Sequence, residues 1–191
     1  MIPFPDKKYQ IIYADPPWQY SDKRGNDPKY VGLTYPTMSI HELCDMKVKD
    51  IMDENCILFL WVTMPLLDVS FEVLKAWGFK YKTLGFSWIK IKKNAIKNQY
   101  SFLMESCLDD NSRGIGHYTM CNTELCLIGV KGRFKRKQNN IKQIIFSARR
   151  KHSQKPDETR KRIVDLSGVL PRIELFARNK TKGWDVWGNE V

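Results

Sequence analysis

The sequence predicts a single α/β domain, a mainly parallel sheet with helices on both faces. Three observations predict it. Short runs such as Ile11-Ile12-Tyr13-Ala14 and "CILFLWVT" (56–63) are apolar on both faces, as central parallel strands are. Segments with apolar residues at helical spacing fall between such runs. The 191 residues suffice for one core, and no internal repeat or low-complexity tract divides the span 1–191.

In chain order, "YQIIYA" (9–14) reads as a buried strand. Residues 21–37, rich in Gly, Asp, Asn and Pro, read as loop. Ser39 with Glu42 three residues on has capping-box spacing, so a helix is expected from there to about Met52. Residues 56–63 form the second strand. A helix over 65–78 follows, with Pro65 at its start, Leu66, Val69, Val73, Leu74 and Trp77 at helical spacing, and Gly78 as its stop. Strands are expected at 82–90, 123–132, 141–147 and 172–178, with a short one in "GWDVWGNEV". "KPDETRKRIVDLSG" (155–168) reads as a helix with Pro near its start and Gly at its end. Segments at about 19–37, 91–120 and 131–140 read as loops on the substrate side.

The formal net charge is +11, concentrated in clusters. Lys90, Lys92, Lys93 and Lys97 form one, Lys131, Arg133, Lys135, Arg136 and Lys137 a second, and Arg149, Arg150 and Lys151 a third. Such clusters on a compact domain predict a polyanionic partner, nucleic acid above all. The five cysteines are odd in number and lack Cys-x-x-Cys spacing, and the three histidines are scattered, so neither a disulfide framework nor a metal site is expected. No apolar segment approaches spanning length and the N-terminus has no signal core. The expectation is a cytoplasmic protein with no membrane partner.

The chemistry concentrates at "ADPPW" (14–18). In open α/β sheets, ligands bind at the carboxyl ends of strands, and Asp15 follows one directly. Pro16 and Pro17 fix φ and remove two donors, leaving rigid carbonyl acceptors beside the Asp15 carboxylate. Trp18 offers a flat stacking surface. An array of acceptors next to an aromatic suits a planar group bearing an NH2, such as a nucleobase. The competing reading is a Pro-Pro turn with Trp18 packed in the core.

"ADPPW" together with "TYPTMS" (34–39), "LFLWVT" (58–63), "GHYTMCNTELCLIGVKG" (116–132), "SQKPDE" (153–158), "RIELFAR" (172–178) and "GWDVWGNE" (183–190) resembles the MT-A (seventy-kilodalton subunit) family of adenine N6 methyltransferases, small prokaryotic or phage type. The resemblance covers nearly the whole chain. It implies a Rossmann-like domain, S-adenosylmethionine as methyl donor and no metal. It implies that Asp15, Pro16, Pro17 and Trp18 are catalytic. Asp15, Lys155, Arg178, Asn189 and Glu190 would bind the donor, with Lys155 on its carboxylate, Asp15 near its α-amino group, and Arg178, Asn189 and Glu190 on its ribose. Glu190 departs from the glutamine of the family pattern. Trp18, Tyr35, His117, Glu124 and Ser153 would contact the acceptor base, and Glu174 matches a family position. Only about eight residues precede the catalytic strand, so the adenine contact of the eukaryotic members is expected to be absent or made otherwise.

The function expected is methylation of adenine N6 in DNA. Adenine N6 methylation of RNA and a non-catalytic nucleic-acid-binding subunit are the alternatives. Monomer and homodimer both stay open, and the host is expected to be a bacterial or phage-infected cell.

Overall fold

A computed structural model describes residues 2–19, 36–92, 118–119, 121–150 and 154–191. Seven strands form one sheet: β1 (Tyr9–Ala14), β2 (Met52–Val62), β3 (Lys80–Ile91), β4 (Thr123–Lys131), β5 (Ile144–Ala148), β6 (Arg172–Leu175) and β7 (Asp185–Trp187). Their order is β5-β3-β4-β2-β1-β6-β7. β1 pairs in parallel with β2 and β6, β6 with β7, and β3 with β5. Among these strands β4 alone runs antiparallel, to β2 on one side and β3 on the other. The parallel strands therefore share one carboxyl edge, and β4 begins there and ends at the opposite edge.

Alternation along the strands sorts the core into two layers. Ile12 and Ala14 of β1 with Leu58, Leu60 and Val62 of β2 face α1 (Ile40–Asp45) and α2 (Leu67–Ala76), which supply Leu43, Val73 and Leu74. Ile11 and Tyr13 with Ile57, Phe59 and Trp61 face α3 (Asp157–Ser167), which supplies Ile163. Both faces of β1 and β2 are thus covered, which explains their uninterrupted apolar runs.

Boundaries follow local chemistry. Ser39 caps α1 through a reciprocal box: its hydroxyl accepts from Glu42 N–H, and the Glu42 carboxylate accepts from Ser39 N–H. The helix stops at Asp45 instead of reaching Met52, and Val48–Ile51 forms a separate 3-10 turn that seats Val48 and Ile51 in the core. Pro65 sits in a 3-10 turn before α2, and Gly78 ends that region at φ +88°, a conformation that costs glycine little. α3 starts at Asp157, so Lys155 precedes the helix rather than standing in its first turn. β6 stops at Leu175, three residues short of the expected strand, because Phe176 turns into the left-handed region at φ 61°. None of the helices among the described residues is long and apolar enough to cross a membrane.

Candidate active site

Asp15 leaves β1 at the carboxyl edge, between the ends of β2 and β6. Four charged side chains meet there. Lys155 Nζ donates to Asp15 Oδ2 at 2.7 Å and lies 3.1 Å from Glu124 Oε2. The other Glu124 oxygen lies 2.9 Å from Lys90 Nζ. Glu124 reaches the edge because β4 is antiparallel: the second residue of that strand pairs with Trp88 of β3, where a parallel strand would end. Two ammoniums thus alternate with two carboxylates, and Lys90 and Lys155 are each under a tenth exposed.

The alternation accounts for the ionisation of each member. Burial opposes the Lys155 charge, but Asp15 and Glu124 outweigh it and hold its ammonium above the ordinary lysine range. Burial likewise opposes the Glu124 carboxylate, and the flanking Lys155 and Lys90 overcome it, so its carboxyl sits below the ordinary value. Asp15 differs: burial pushes its carboxyl up, and Lys155, with a smaller contribution from Arg178, only partly offsets this.

Trp61 of β2 ties the site to the sheet. Its ring lies 5.6 Å beneath Lys155 Nζ, a cation–π contact. Its indole N–H donates to Tyr13 Oη at 2.7 Å, and its backbone carbonyl accepts from Trp18 Nε1 at 3.0 Å. Below, Arg160 of α3 forks onto the buried Glu174 through two bonds of 2.7 and 2.6 Å and covers the Tyr13 ring. Arg150 holds the approach to α3, donating to Asp157 at 2.6 Å and to the Lys155 carbonyl at 3.0 Å.

These contacts correct several expectations. Trp18 is 5% exposed and packs in the α1/α2 layer with its N–H already bonded, so the indole is a core anchor in this conformation and not an open stacking surface. The proline carbonyls are engaged within the chain: Pro16 O accepts from Trp18 N–H and Pro17 O from Met38 N–H. Each keeps a second lone pair for a ligand. Lys90 is not a solvated member of a phosphate-binding cluster but half of a buried pair. Arg150 of the third cluster is spent on positioning Lys155. The segment 131–140, expected on the substrate side, follows the end of β4 and lies at the opposite edge, where Arg133 N–H donates to Asn55 and Lys137 N–H to Leu166 O at the end of α3. Tyr35, His117 and Ser153 lie outside the described residues.

Arg178 and Glu190 do come together, Nε to Oε1 at 3.4 Å, with Asn189 exposed beside them. Two features bring them there. Phe176 adopts φ 61°, a strained geometry for an aromatic residue, and its ring meets Trp187 edge-on. Gly188 packs directly on that turn: a Cβ there would lie 2.6 Å from Ala177 O. Phe176, Trp61 and Arg160 are not singled out by the sequence as part of a site, and Lys90 is singled out only as a member of a basic cluster. For Lys90 the only signal is its place in a strand, which is inconsistent with a solvated lysine run.

The residues suit an α-amino-acid zwitterion such as the end of S-adenosylmethionine: a carboxylate and an ammonium stand side by side, Asp15 for an amino group and Lys155 for a carboxylate. Lys155 keeps Glu124 as partner if Asp15 turns to a ligand.

A family model described as MT-A70 matches residues 9–190. The chain is 35% identical to the type II methyltransferase M.MunI of a Mycoplasma species, over 98% of this chain and 79% of that one. It is 28% identical to the human N(6)-adenosine-methyltransferase catalytic subunit METTL3, over 96% of this chain and 28% of that one. It is 30% identical to a Medicago truncatula protein named as a putative N(6)-adenosine-methyltransferase MT-A70-like, and spans 26% of its length. The chain belongs to the MT-A70 family and is a methyltransferase of the adenine N6 class.

Proposed function

We propose that this enzyme transfers a methyl group from S-adenosylmethionine to the N6 amino group of adenine in DNA, in a bacterial or phage-infected cell. The observation that carries the reading is the Asp15–Lys155 pair at the carboxyl edge of the sheet, 2.7 Å apart and backed by Glu124. The preference for DNA rests on M.MunI, a type II methyltransferase of which the chain covers 79%.

When bound, S-adenosylmethionine supplies an electrophilic methyl group. The protein's own residues then have distinct tasks. Asp15 accepts a hydrogen bond from an amine, and the free lone pair of the Pro16 carbonyl offers a second acceptor next to it. Gripping both hydrogens of an aryl amine favours pyramidal nitrogen and a localised lone pair. Lys155 attracts the donor's carboxylate, while Glu124 keeps that ammonium charged and fixed. Arg178, Asn189 and Glu190 offer polar groups for ribose hydroxyls. A base reaching this edge must leave its stack. Catalysis is mainly positioning in a partly desolvated site, and no strong general base is required.

Purified protein incubated with radiolabelled donor tests the reading. Incorporation into adenine of duplex DNA, and not into RNA or protein, is the expected result, with Asp15→Asn reducing it at least about a hundredfold, the scale of losing an aligned electrostatic group. Label entering RNA alone would replace DNA as the substrate. Full transfer by Asp15→Asn would remove Asp15 from the mechanism.

A further inference from the structure

Lys131 ends the antiparallel strand β4, and Arg133, Lys135, Arg136 and Lys137 follow it, at the amino ends of the parallel strands. Lys131 pairs with Cys56 at the start of the apolar run of β2, while Glu124 lies beyond Leu125, which pairs with Val62 at that run's far end. At about 3.4 Å per residue, Glu124 and Lys131 are about 24 Å apart along the strand. Lys80, paired with Val130 at the start of β3, adds a cation to the same edge. Arg133, Lys135, Arg136, Lys137 and Lys80 are exposed or nearly so, and none of the six forms an ion pair among the described residues. Acidic groups are not absent, since Asp53 and Glu54 occupy the start of β2, but the cations outnumber them.

The backbone carrying these charges is pinned. Arg133 N–H donates to Asn55 Oδ1 at 2.6 Å, Lys137 N–H to Leu166 O at 2.7 Å, and Phe134 and Ile141 pack against the α3-side core. A fixed loop presenting four exposed cations toward solvent is suited to a regularly charged polymer. Arg136 also borders a cleft with Phe134, Ile141 and Leu166, but that lining is mostly apolar and holds no second cation, so it is not an anion pocket.

We infer that this amino-edge loop is a second contact for the phosphate backbone, separate from the catalytic edge, gripping another stretch of the same long DNA whose target base is at Asp15. The inference rests on the reading of DNA as substrate. A straight duplex crossing the carboxyl edge does not reach the opposite end of the strands, so the two contacts need a long molecule that turns back or bends around the domain. The consequence is a dependence on length: long DNA engages both edges, and a short duplex engages one. Simultaneous engagement raises apparent affinity without altering the chemistry.

The test compares the intact protein with the triple variant Lys135→Glu, Arg136→Glu, Lys137→Glu, and with the milder triple glutamine variant as a control for charge reversal. KM and kcat are measured on a short duplex with one target site and on the same site within several hundred base pairs. For the unaltered protein KM is expected to be at least about tenfold lower on the long DNA. The variants should lose that advantage while keeping kcat and the short-duplex KM. The slope of log affinity against log salt on long DNA should flatten by up to about 3, near 0.9 for each phosphate that is no longer neutralised. Equal KM on both lengths for the unaltered protein, or variants that keep the length advantage, would overturn the inference, as would capture of an acidic protein by this edge in preference to DNA. Direct binding to long duplex without donor separates the two readings: variants that bind it less while the unaltered protein methylates no DNA would sink the substrate assignment alone.

Discussion

Positive charge is used in opposite ways at the two edges of the sheet. At the carboxyl edge, Lys90 and Lys155 are buried, and two ammoniums are balanced by the carboxylates of Asp15 and Glu124. At the amino edge, Arg133, Lys135, Arg136 and Lys137 are exposed and without ion pairs among the described residues. The four charged side chains at the carboxyl edge therefore contribute nothing to the net charge of +11. The site is a neutral, ordered array whose lysines are held by carboxylates. Among the described residues the surplus of cations lies outside that array. Buried pairs of this kind contribute little net stability while intact but cost much when one partner is removed, whereas exposed charges cost little either way.

Disruption should be greatest at the hub. Lys155→Ala leaves two buried carboxylates without their shared counterion, so donor binding and methyl transfer should both disappear and stability should fall by about 3 kcal/mol or more. Urea unfolding with calorimetric donor titration measures both. Unchanged donor affinity would show that the carboxyl-edge lysine is structural only. Gly188→Ala comes next, because its Cβ would meet Ala177 O at 2.6 Å and disturb the turn that places Arg178. A loss of about 2 kcal/mol in thermal denaturation is expected, in the range of overpacking costs.

Lys90→Met removes one of the two charges that keep Glu124 ionised. About tenfold lower kcat/KM is expected, the scale of weakening one charge-assisted bond, with partial recovery in Lys90→Arg. An equal loss in both variants would make Lys90 a packing residue.

The pH dependence follows from opposite shifts. Glu124, Asp157 and Asp185 are held below their ordinary values of 4.5, 3.8 and 3.8, Glu124 by Lys155 and Lys90 against burial, Asp157 chiefly by its bond to Arg150 and Asp185 chiefly by its bond to Lys7. Their unfolded forms bind protons more readily, so the stability they contribute is present above that range and is lost as pH falls through their lower folded values. Asp15, raised by burial, has the reverse sign: its contribution is present at low pH and lost as pH rises through its folded value. Acid unfolding should therefore steepen below about pH 4, and Glu124→Gln should soften it. The acid limb of kcat/KM should report Asp15 titrating above 3.8, and in Lys155→Met, where the offsetting charge is gone, an NMR titration of the carboxyl should find Asp15 higher still. The mildest outcome belongs to the amino edge, where Lys137→Ala should change stability by no more than about 0.5 kcal/mol.

Much of this is legible along the chain. The strands at 9–14 and 56–63 are visible because burial on both faces leaves no polar alternation. The box of Ser39 and Glu42 and the stop at Gly78 are local chemistry, readable within four residues. Asp15, Glu124 and Lys155 are identifiable from the motifs around them, and they converge. The setting of Trp18 is not legible, because a short motif does not say which side of the sheet an indole turns to. Nor is that of Lys90, because charge clusters along the chain look alike whether they lie in a strand or a loop.

Residue type and short-range spacing are enough to establish the α/β class, the strand that ends at Asp15, the family and the surplus of positive charge. They do not reveal that β4 runs antiparallel, which emerges only on folding. That one direction carries Glu124 to the carboxyl edge and Lys131 with its basic neighbours to the opposite one. Folding likewise settles that Lys90 and Lys155 share Glu124, and that Phe176 is held at φ 61° beside Gly188. One cause underlies all of these. They depend on which strand lies next to which and in what direction, and pairings between segments far apart in the chain leave no spacing rule within either segment to announce them.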